Sequence, residues 1–100
     1  METLELKGAS IPKLGLGTYR LNGIWATMHI VEAISMGYTH IDTAQFYGNE
    51  KEVGEAIKSS LTPREDLWVT TKVWTTEVTK ERFLPSVEGS LERLQLDQVD

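Results

Sequence analysis

Residues 37–58 read GYTHIDTAQFYGNEKEVGEAIK and predict a strand, a loop and a helix in that order. Tyr38–Asp42 follows a turn glycine and has the short apolar pattern of a buried strand. Asn49 is expected to cap the helix, with Glu52 three residues on completing a capping-box-like pair. One apolar stripe at helical spacing supports this helix, formed by Val53, Ala56, Ile57 and Leu61. The stretch therefore predicts one βα unit.

The residues before this stretch predict a hairpin and an earlier βα unit. Leu4–Leu6 and Ile11–Pro12 flank residues 7–10, KGAS, which suits a small N-terminal hairpin. Leu14–Gly17 is short and apolar and is predicted to be a strand. A first helix is predicted to end at Gly37, because four apolar residues recur at helical spacing before it: Ile24, Met28, Val31 and Ile34.

The residues after it predict a third unit. Residues 62–66, TPRED, form a turn, and Leu67–Val73 is a strand rich in Trp, Val and Thr. Thr79 is a candidate cap for a third helix, whose regular part is expected to begin near Pro85. Its apolar positions are Leu84, Val87, Leu91 and Leu94. Val99-Asp100 has the character of the start of a fourth strand.

The order of elements predicts an α/β fold with a parallel sheet and helices packed outside it. The strands recur at the repeat length of a (β/α)₈ TIM barrel, which needs about 250 residues. Residues 1–100 would be the N-terminal portion of a single barrel domain, with the hairpin and about three and a half βα units. Such a sheet has two bare edges, so we expect a longer chain. A half-barrel completed by self-association is the alternative.

Composition narrows the partners and the compartment. The net charge is −5 and no long basic run exists, which argues against nucleic acid and membrane surfaces as partners. The absence of cysteine excludes disulfides, thiolate metal sites and cysteine nucleophiles, and no metal site is expected. The first residues lack a signal-peptide pattern, and no segment has the apolar length of a membrane span. We therefore expect a cytoplasmic protein.

Three polar residues are predicted to meet at the carboxyl ends of the strands, where parallel α/β folds carry their functional sites. Asp42 ends one strand, Lys72 lies near the end of the next, and Tyr47 follows Asp42 by one short loop. By alternation, Asp42 and Lys72 face the barrel interior while Ile41 and Val69 face the helices. The carboxylate and the ammonium should be buried as a pair, because an unpaired buried charge is costly.

This trio suits proton transfer to a carbonyl group. A ketone or aldehyde that receives hydride becomes an alkoxide, and Tyr47 can donate the proton it needs. A phenol with a pKa of about 10 is a reluctant acid, and a neighbouring ammonium favours its ionised form. Lys72 is thus predicted to tune Tyr47, and Asp42 to hold Lys72. From spacing alone, a structural Asp–Lys pair without a catalytic role stays open.

Several long motifs resemble those of the aldo-keto reductase family, in the family's order along nearly the whole chain. They are Gly37–Ala44, Tyr47–Glu50, Glu52–Gly54, Thr71–Trp74, Leu14–Thr18 and Ser90–Leu94. The resemblance implies a (β/α)₈ barrel that reduces small aldehydes and ketones with NADPH and has no Rossmann domain. It implies that Asp42, Tyr47 and Lys72 are catalytic in the roles given above. A fourth catalytic residue, a histidine, is expected beyond Asp100, so the 100 residues alone are predicted to be inactive.

The same resemblance implies binding positions around the trio. Those for the nicotinamide end of the cofactor are Gly17, Thr18, Tyr19 and Asp42. Those for the substrate pocket are Tyr19, Phe46 and Trp74. Among the remaining candidates, Trp25 and Trp68 are expected to be packing residues, His40 a satisfied interior histidine, and His29 a surface or packing residue.

Two phrases, Phe83–Leu91 and Asp42–Gln45, are similar to those of bacterial members that reduce 2,5-diketogluconate or methylglyoxal. The implied partner is a small-molecule carbonyl substrate, and the complete protein is expected to be a monomer. Some family members instead serve as auxiliary subunits of potassium channels. A non-catalytic barrel used for binding is therefore the alternative function.

Overall fold

A two-residue turn closes the N-terminal hairpin of the computed structural model, which describes residues 1–100. Strands β1 (Thr3–Leu6) and β2 (Ala9–Pro12) are antiparallel. Between them, Lys7 and Gly8 have φ angles of 49° and 85°, which suit a type I′ turn whose twist matches that of the strands. The predicted hairpin is confirmed, with a turn shorter than the predicted four residues.

Three short parallel strands form a second sheet in the order β3-β4-β5. They are β3 (Leu16–Gly17), β4 (His40–Asp42) and β5 (Trp68–Thr70). The helices that follow them are α1 (Gly23–Ser35), α2 (Glu50–Ser59) and α3 (Phe83–Leu94). Gly17 pairs with Asp42, and Asp42 with Thr70, so the carboxyl ends of the strands lie along one edge. The predicted α/β class and order of three βα units are confirmed.

The end of the described chain returns to the sheet beside β5. The Asp100 amide donates to the Val69 carbonyl at 2.9 Å, and the Asp100 carboxylate accepts from the Val69 amide at 2.9 Å. Val99 is half-buried against the hydrophobic core. The segment predicted to start a fourth strand therefore lies where that strand would pair, although no regular strand is formed there.

The hydrophobic core lies between the parallel sheet and the helices. It consists of nine buried residues: Ile30, Ile34, Ile41, Val53, Ala56, Ile57, Leu67, Val69 and Leu94. On the strands, Ile41 and Val69 are completely buried, while their neighbours His40, Asp42 and Thr70 are half-buried on the opposite face. This alternation confirms the prediction that polar residues of the strands face away from the helices.

Helix α1 buries only part of the predicted apolar stripe. Ile34 is buried and Val31 packs half-buried against the core, while Ile24 and Met28 are mostly exposed. The other buried positions of the helix are Ala26, Ile30 and Ala33. The helix carries apolar residues on more than one side, and the side with two alanines allows the closest approach to α2 and the sheet. Trp25 is 67% exposed, so its predicted packing role is wrong.

The limits of α2 and α3 also differ from the prediction. Helix α2 ends two residues before Leu61, which is completely exposed instead of completing an apolar stripe. Helix α3 begins at Phe83 rather than near Pro85, because a proline in the first turn removes no hydrogen bond. Thr79 caps the turn that leads into this helix, as expected for a cap. Its hydroxyl oxygen accepts from the Arg82 amide and its carbonyl from the Phe83 amide, both at 3.1 Å.

None of the three helices combines the length and the hydropathy that a transmembrane helix requires.

Gly54 allows α2 and α3 to cross closely, because a Cβ at this position would lie 2.5 Å from the Leu94 carbonyl oxygen. We expect Gly54→Ala to lower the free energy of unfolding by about 1–3 kcal/mol, since the obstacle is backbone that cannot rotate away. The control is Gly89→Ala in α3, where the new Cβ would meet only the Arg93 guanidinium at 3.1 Å. Alanine favours a helix over glycine by about 1 kcal/mol, so the control should be as stable as the parent or more stable. Urea unfolding measures both variants, and a Gly54→Ala chain as stable as the parent would contradict the prediction.

Candidate active site

Asp42, Tyr47 and Lys72 meet at the carboxyl edge of the parallel sheet. Lys72 Nζ lies 2.8 Å from Asp42 Oδ2 and 3.0 Å from the Tyr47 hydroxyl oxygen. Asp42 is the last residue of β4, Tyr47 closes a 3₁₀ turn in the following loop, and Lys72 lies two residues after β5. The structure therefore brings together the three side chains that the sequence predicted at this edge.

Backbone pairing continues beyond the regular strands and carries Lys72 to this edge. The Thr43 amide donates to the Thr70 carbonyl at 2.8 Å, and the Gln45 amide donates to the Lys72 carbonyl at 3.1 Å. The loop after β4 thus runs beside the residues after β5. The predicted strand extends to Val73, whereas regular pairing ends at Thr70, so Lys72 lies in an irregular continuation of the strand.

Each of the three donors of the Lys72 ammonium has an acceptor. Two are the Asp42 carboxylate and the Tyr47 phenol oxygen, and the third is the Thr43 carbonyl oxygen at 3.2 Å. An ammonium can only donate, so the Tyr47 oxygen is the acceptor in its contact with Lys72. The proton of the Tyr47 hydroxyl is therefore available to an acceptor outside the trio.

The Asp42–Lys72 pair is half-exposed, which corrects the prediction of a buried pair. The side chains of Lys72 and Asp42 are 49% and 34% exposed, because the three strands leave the inner face of the sheet open. Burial by itself lowers the pKa of Lys72, but the hydrogen bonds to Asp42 and Tyr47 and the negative charge of Asp42 raise it more. The pKa of Lys72 therefore lies above its ordinary value, and the side chain is an ammonium at neutral pH.

Two pairs of aromatic rings include Tyr47 and its neighbour in the chain, Phe46. The Tyr19 ring lies 5.1 Å from the Tyr47 ring, and the rings of Phe46 and Trp74 stack at 4.2 Å. Tyr19, Phe46 and Trp74 are each between 40% and 56% exposed. None of the four cavities of the structure is lined by Tyr47, so these rings form an open wall rather than an enclosed pocket.

The residues expected at the nicotinamide end of a cofactor differ in their freedom to bind. Thr18 is completely buried, and both its amide and its hydroxyl donate to the Asp42 carbonyl at 3.0 Å. Thr18 therefore joins β3 to β4 and orients Tyr19 beside it. Gly17 is exposed, and a Cβ there would meet nothing within 4 Å. The space over Gly17 and beside Tyr19 is open to a ligand.

Asn49 has a role that the sequence did not predict. It occupies the N-cap position of α2, but its side chain makes no capping hydrogen bond, so the predicted capping pair with Glu52 is wrong. Its Oδ1 accepts from the Thr43 hydroxyl at 2.8 Å, and its Nδ2 donates to the carbonyls of Thr18 at 2.6 Å and Leu21 at 2.9 Å. Asn49 thus ties the loop that carries Tyr19 to the loop that carries Tyr47. An Asn followed three residues later by Glu at a helix start looks the same in the sequence whether the Asn side chain caps the helix or bonds to neighbouring loops. The sequence therefore could not distinguish the two roles.

Gln45 is a second residue whose role only the structure reveals. Its Oε1 accepts from the Trp74 amide at 2.8 Å. Its Nε2 lies 3.2 Å from the Ser86 carbonyl and from the hydroxyls of Ser86 and Ser90 on α3. Gln45 therefore connects the aromatic wall to α3. The only indication of a role for Gln45 in the sequence was that it belongs to the stretch Asp42–Gln45, which is similar to bacterial members of the aldo-keto reductase family.

Neither histidine belongs to the trio. His40 Nδ1 lies 3.0 Å from the Pro12 carbonyl and Nε2 lies 3.4 Å from the Thr70 hydroxyl, so the prediction of a satisfied interior histidine is confirmed. Trp68 is half-buried and meets His40 edge-on, as a packing residue would. His29 is exposed on α1. No group of three or more His, Cys, Asp or Glu side chains is placed to hold a metal ion.

The chain is similar to known proteins both in sequence and in fold. Residues 13–100 match the aldo/keto reductase family. The chain belongs to this family.

Crystal structures of family members superpose closely on this chain. A putative 2,5-diketo-D-gluconic acid reductase B covers 100% of the chain with a TM-score of 0.93 and 46% identity, and the chain covers 36% of that protein. An aldo/keto reductase from Brucella melitensis gives a TM-score of 0.92 at 41% identity, over 98% of this chain and 38% of that one. The predicted (β/α)₈ barrel fold is confirmed, with its first units described here.

Curated members of the family are similar along most of the chain. Methylglyoxal reductase DkgB of Escherichia coli O157:H7 is 44% identical over 91 residues, which cover 91% of this chain and 34% of the relative. Glycerol 2-dehydrogenase (NADP(+)) of Saccharomyces cerevisiae is 46% identical over 93 residues, which cover 93% of this chain and 29% of the relative. The chain thus spans about a third of the length of these relatives. The similarity to bacterial methylglyoxal and diketogluconate reductases noted in the sequence is confirmed.

The raised pKa of Lys72 predicts a dependence of stability on pH. The ammonium stabilises the fold fully below the ordinary lysine pKa of 10.5, and this contribution is lost as the pH rises through the higher pKa of the folded state. We expect Lys72→Met to lose less stability than the parent when the pH is raised above 10.5. Urea unfolding at a series of pH values gives both curves, and parallel curves would show that Lys72 contributes nothing.

Proposed function

We propose that the complete protein containing this chain reduces small aldehydes and ketones with NADPH, and that Tyr47 donates the proton. The observation that carries this proposal is the double contact of Lys72, which donates to the Asp42 carboxylate and to the Tyr47 phenol oxygen. A structural ion pair would need only the first contact. The second engages the oxygen of a phenol whose proton remains available.

The three residues divide the proton transfer between them. The nicotinamide, when bound, supplies a hydride to the carbonyl carbon. Negative charge then develops on the carbonyl oxygen, and Tyr47 transfers its phenolic proton to that oxygen. The ammonium of Lys72, 3.0 Å from the phenol oxygen, stabilises the phenolate that results. Asp42 keeps the ammonium in place and balances its charge.

The residues at the nicotinamide end fit this cofactor. Gly17 leaves open space where a side chain would otherwise stand, and the exposed Tyr19 ring offers a flat apolar face beside it. The Asp42 carboxylate can accept a hydrogen bond from the cofactor as well as from Lys72, because it has two oxygens and only Oδ2 contacts the ammonium. The name of the similar yeast glycerol dehydrogenase includes NADP(+), which favours the phosphorylated form of the cofactor.

Two observations indicate the substrate class: the exposed aromatic rings of the site and the names of similar proteins. The Tyr19 ring lies against the Tyr47 ring, and Phe46, the residue before Tyr47, stacks on Trp74. Together these exposed rings offer an apolar surface. Such an apolar surface suits a small carbonyl compound, because the compound must be shielded from water when it reacts. Two similar proteins carry the names methylglyoxal reductase and putative 2,5-diketo-D-gluconic acid reductase B. We infer a substrate of this dicarbonyl class.

Replacing Tyr47 with Phe removes the proton donor and keeps the ring that packs against Tyr19. We expect the complete protein with Tyr47→Phe to lose turnover of methylglyoxal by about 10²- to 10⁴-fold, the usual contribution of general acid catalysis. The control is Tyr38→Phe, because Tyr38 precedes β4 and lies at the opposite end of the strand from Asp42. NADPH oxidation followed by absorbance measures both. Full activity of Tyr47→Phe would rule out its role as proton donor.

The 100 residues by themselves should show no measurable NADPH oxidation. The trio and its aromatic wall stand open to solvent, so water is not excluded from the site. The experiment compares the purified 100-residue chain with the complete protein at equal concentration. Rapid turnover by the short chain would contradict this expectation.

A further inference from the structure

A buried carboxylate lies on the helix side of the sheet, behind the edge that carries Asp42, Tyr47 and Lys72. Glu50, the first residue of α2, is only 2% exposed. Its Oε2 accepts from the Thr71 hydroxyl at 2.7 Å. Its Oε1 accepts from Arg93 Nε on α3 at 2.8 Å, and Arg93 Nη2 lies 2.7 Å from the same oxygen as an ion pair. Both oxygens are therefore occupied, and the burial of this charge is compensated by two hydrogen bonds, the charge of Arg93 and the N-terminus of a helix.

The partner of Glu50 is the residue next to Lys72. Thr71 and Lys72 follow the alternation of β5, so that the Lys72 side chain reaches the open inner face and the Thr71 side chain reaches the helices. On the inner face Lys72 contacts Asp42 and Tyr47, and on the helix side Thr71 contacts Glu50. The same short segment is thus held from both faces of the sheet.

Backbone pairing holds this segment only weakly. Regular pairing of β5 ends at Thr70. Residues 71–73 then make one backbone–backbone hydrogen bond, from the Gln45 amide to the Lys72 carbonyl. The side-chain bond from Thr71 to Glu50 attaches this segment to the start of α2, while Gln45 connects its other side to α3. Arg93 in turn attaches the Glu50 carboxylate to α3.

We propose that Glu50, held by Arg93, is a positioning residue that keeps the Lys72 ammonium on Asp42 and Tyr47 through its hydrogen bond from Thr71. Glu50 touches neither the trio nor the open face, so it acts only through the backbone that Thr71 and Lys72 share. This inference rests on the proposed function for its effect on turnover, but not for its effect on Lys72.

The variant Thr71→Val tests the inference with little disturbance of the fold. It removes the hydroxyl, keeps the side-chain shape, and leaves the Glu50–Arg93 pair in place. Thr71→Ser is the matched control, because it retains the hydroxyl. In the complete protein, we expect Thr71→Val to lower kcat by about 10- to 100-fold, as catalysis is sensitive to displacements of about 1 Å. KM should stay near that of the parent, and Thr71→Ser should retain the parent kcat.

A second measurement does not depend on turnover. The pKa of Lys72 is raised by its contacts with Asp42 and Tyr47, so it should fall toward the ordinary lysine value if Thr71→Val lets the ammonium move away. NMR titration of the Lys72 side-chain carbon in the complete protein, assigned with Lys72→Met, measures this value in the parent, Thr71→Val and Thr71→Ser. We expect the fall only in Thr71→Val.

The outcomes separate the two proposals. A parent protein without reductase activity would refute the proposed function, while a fall in the Lys72 pKa in Thr71→Val alone would still support the positioning role. A Thr71→Val protein with a lower melting temperature but unchanged kcat and Lys72 pKa would overturn the inference, since Glu50 would then contribute to stability alone. Equal losses in Thr71→Val and Thr71→Ser would overturn it as well, because the hydroxyl would not be the cause.

Discussion

The parallel register of three short strands determines where the side chains of the candidate site lie. Gly17 pairs with Asp42, and Asp42 with Thr70, so the segments that follow the strands leave the sheet at the same level. Tyr19, Tyr47 and Lys72 are carried by those segments. A shift of one residue in this register would turn Asp42 and its neighbours toward the opposite face of the sheet. The complete burial of Ile41 and Val69 opposes such a shift, because it would expose both side chains.

The strands are too short for backbone pairing alone to fix the loops that carry the candidate site. Buried polar side chains make the additional hydrogen bonds that hold these loops. Asn49 bonds the loop after β3 to the loop after β4. Gln45 bonds the loop after β4 to Trp74 and α3, and Glu50 bonds Thr71 to α3 through Arg93. Polar groups inside a protein are retained where they have partners. Each loop that carries a group of the site is thereby joined to a neighbouring loop or helix.

Much of the fold and of the site could be predicted from the sequence, and the errors share a cause. Strand alternation correctly placed Ile41, Val69 and Asp42, because it follows from backbone geometry at every second residue. The stripe predicted for α1 was only partly correct. Ile34 is buried but Ile24 and Met28 are exposed, because α1 has apolar residues on several sides and only the packing partner selects one. Leu61 was included in a helix that had already ended. The pairing of Asp42 with Lys72 was predicted correctly, but its burial was not, since the inner face of the sheet is open here.

The sequence by itself determined the order of βα units, the trio of Asp42, Tyr47 and Lys72, and the membership of the aldo/keto reductase family. These depend on local periodicity and on motifs of adjacent residues. Only the tertiary structure decided the roles of Asn49 and Glu50. Both stand at the start of α2, where a cap and a first-turn acid are the ordinary local reading. Their actual partners, Thr18 and Thr71, lie 31 and 21 residues away, and such partners become neighbours only when the chain has folded.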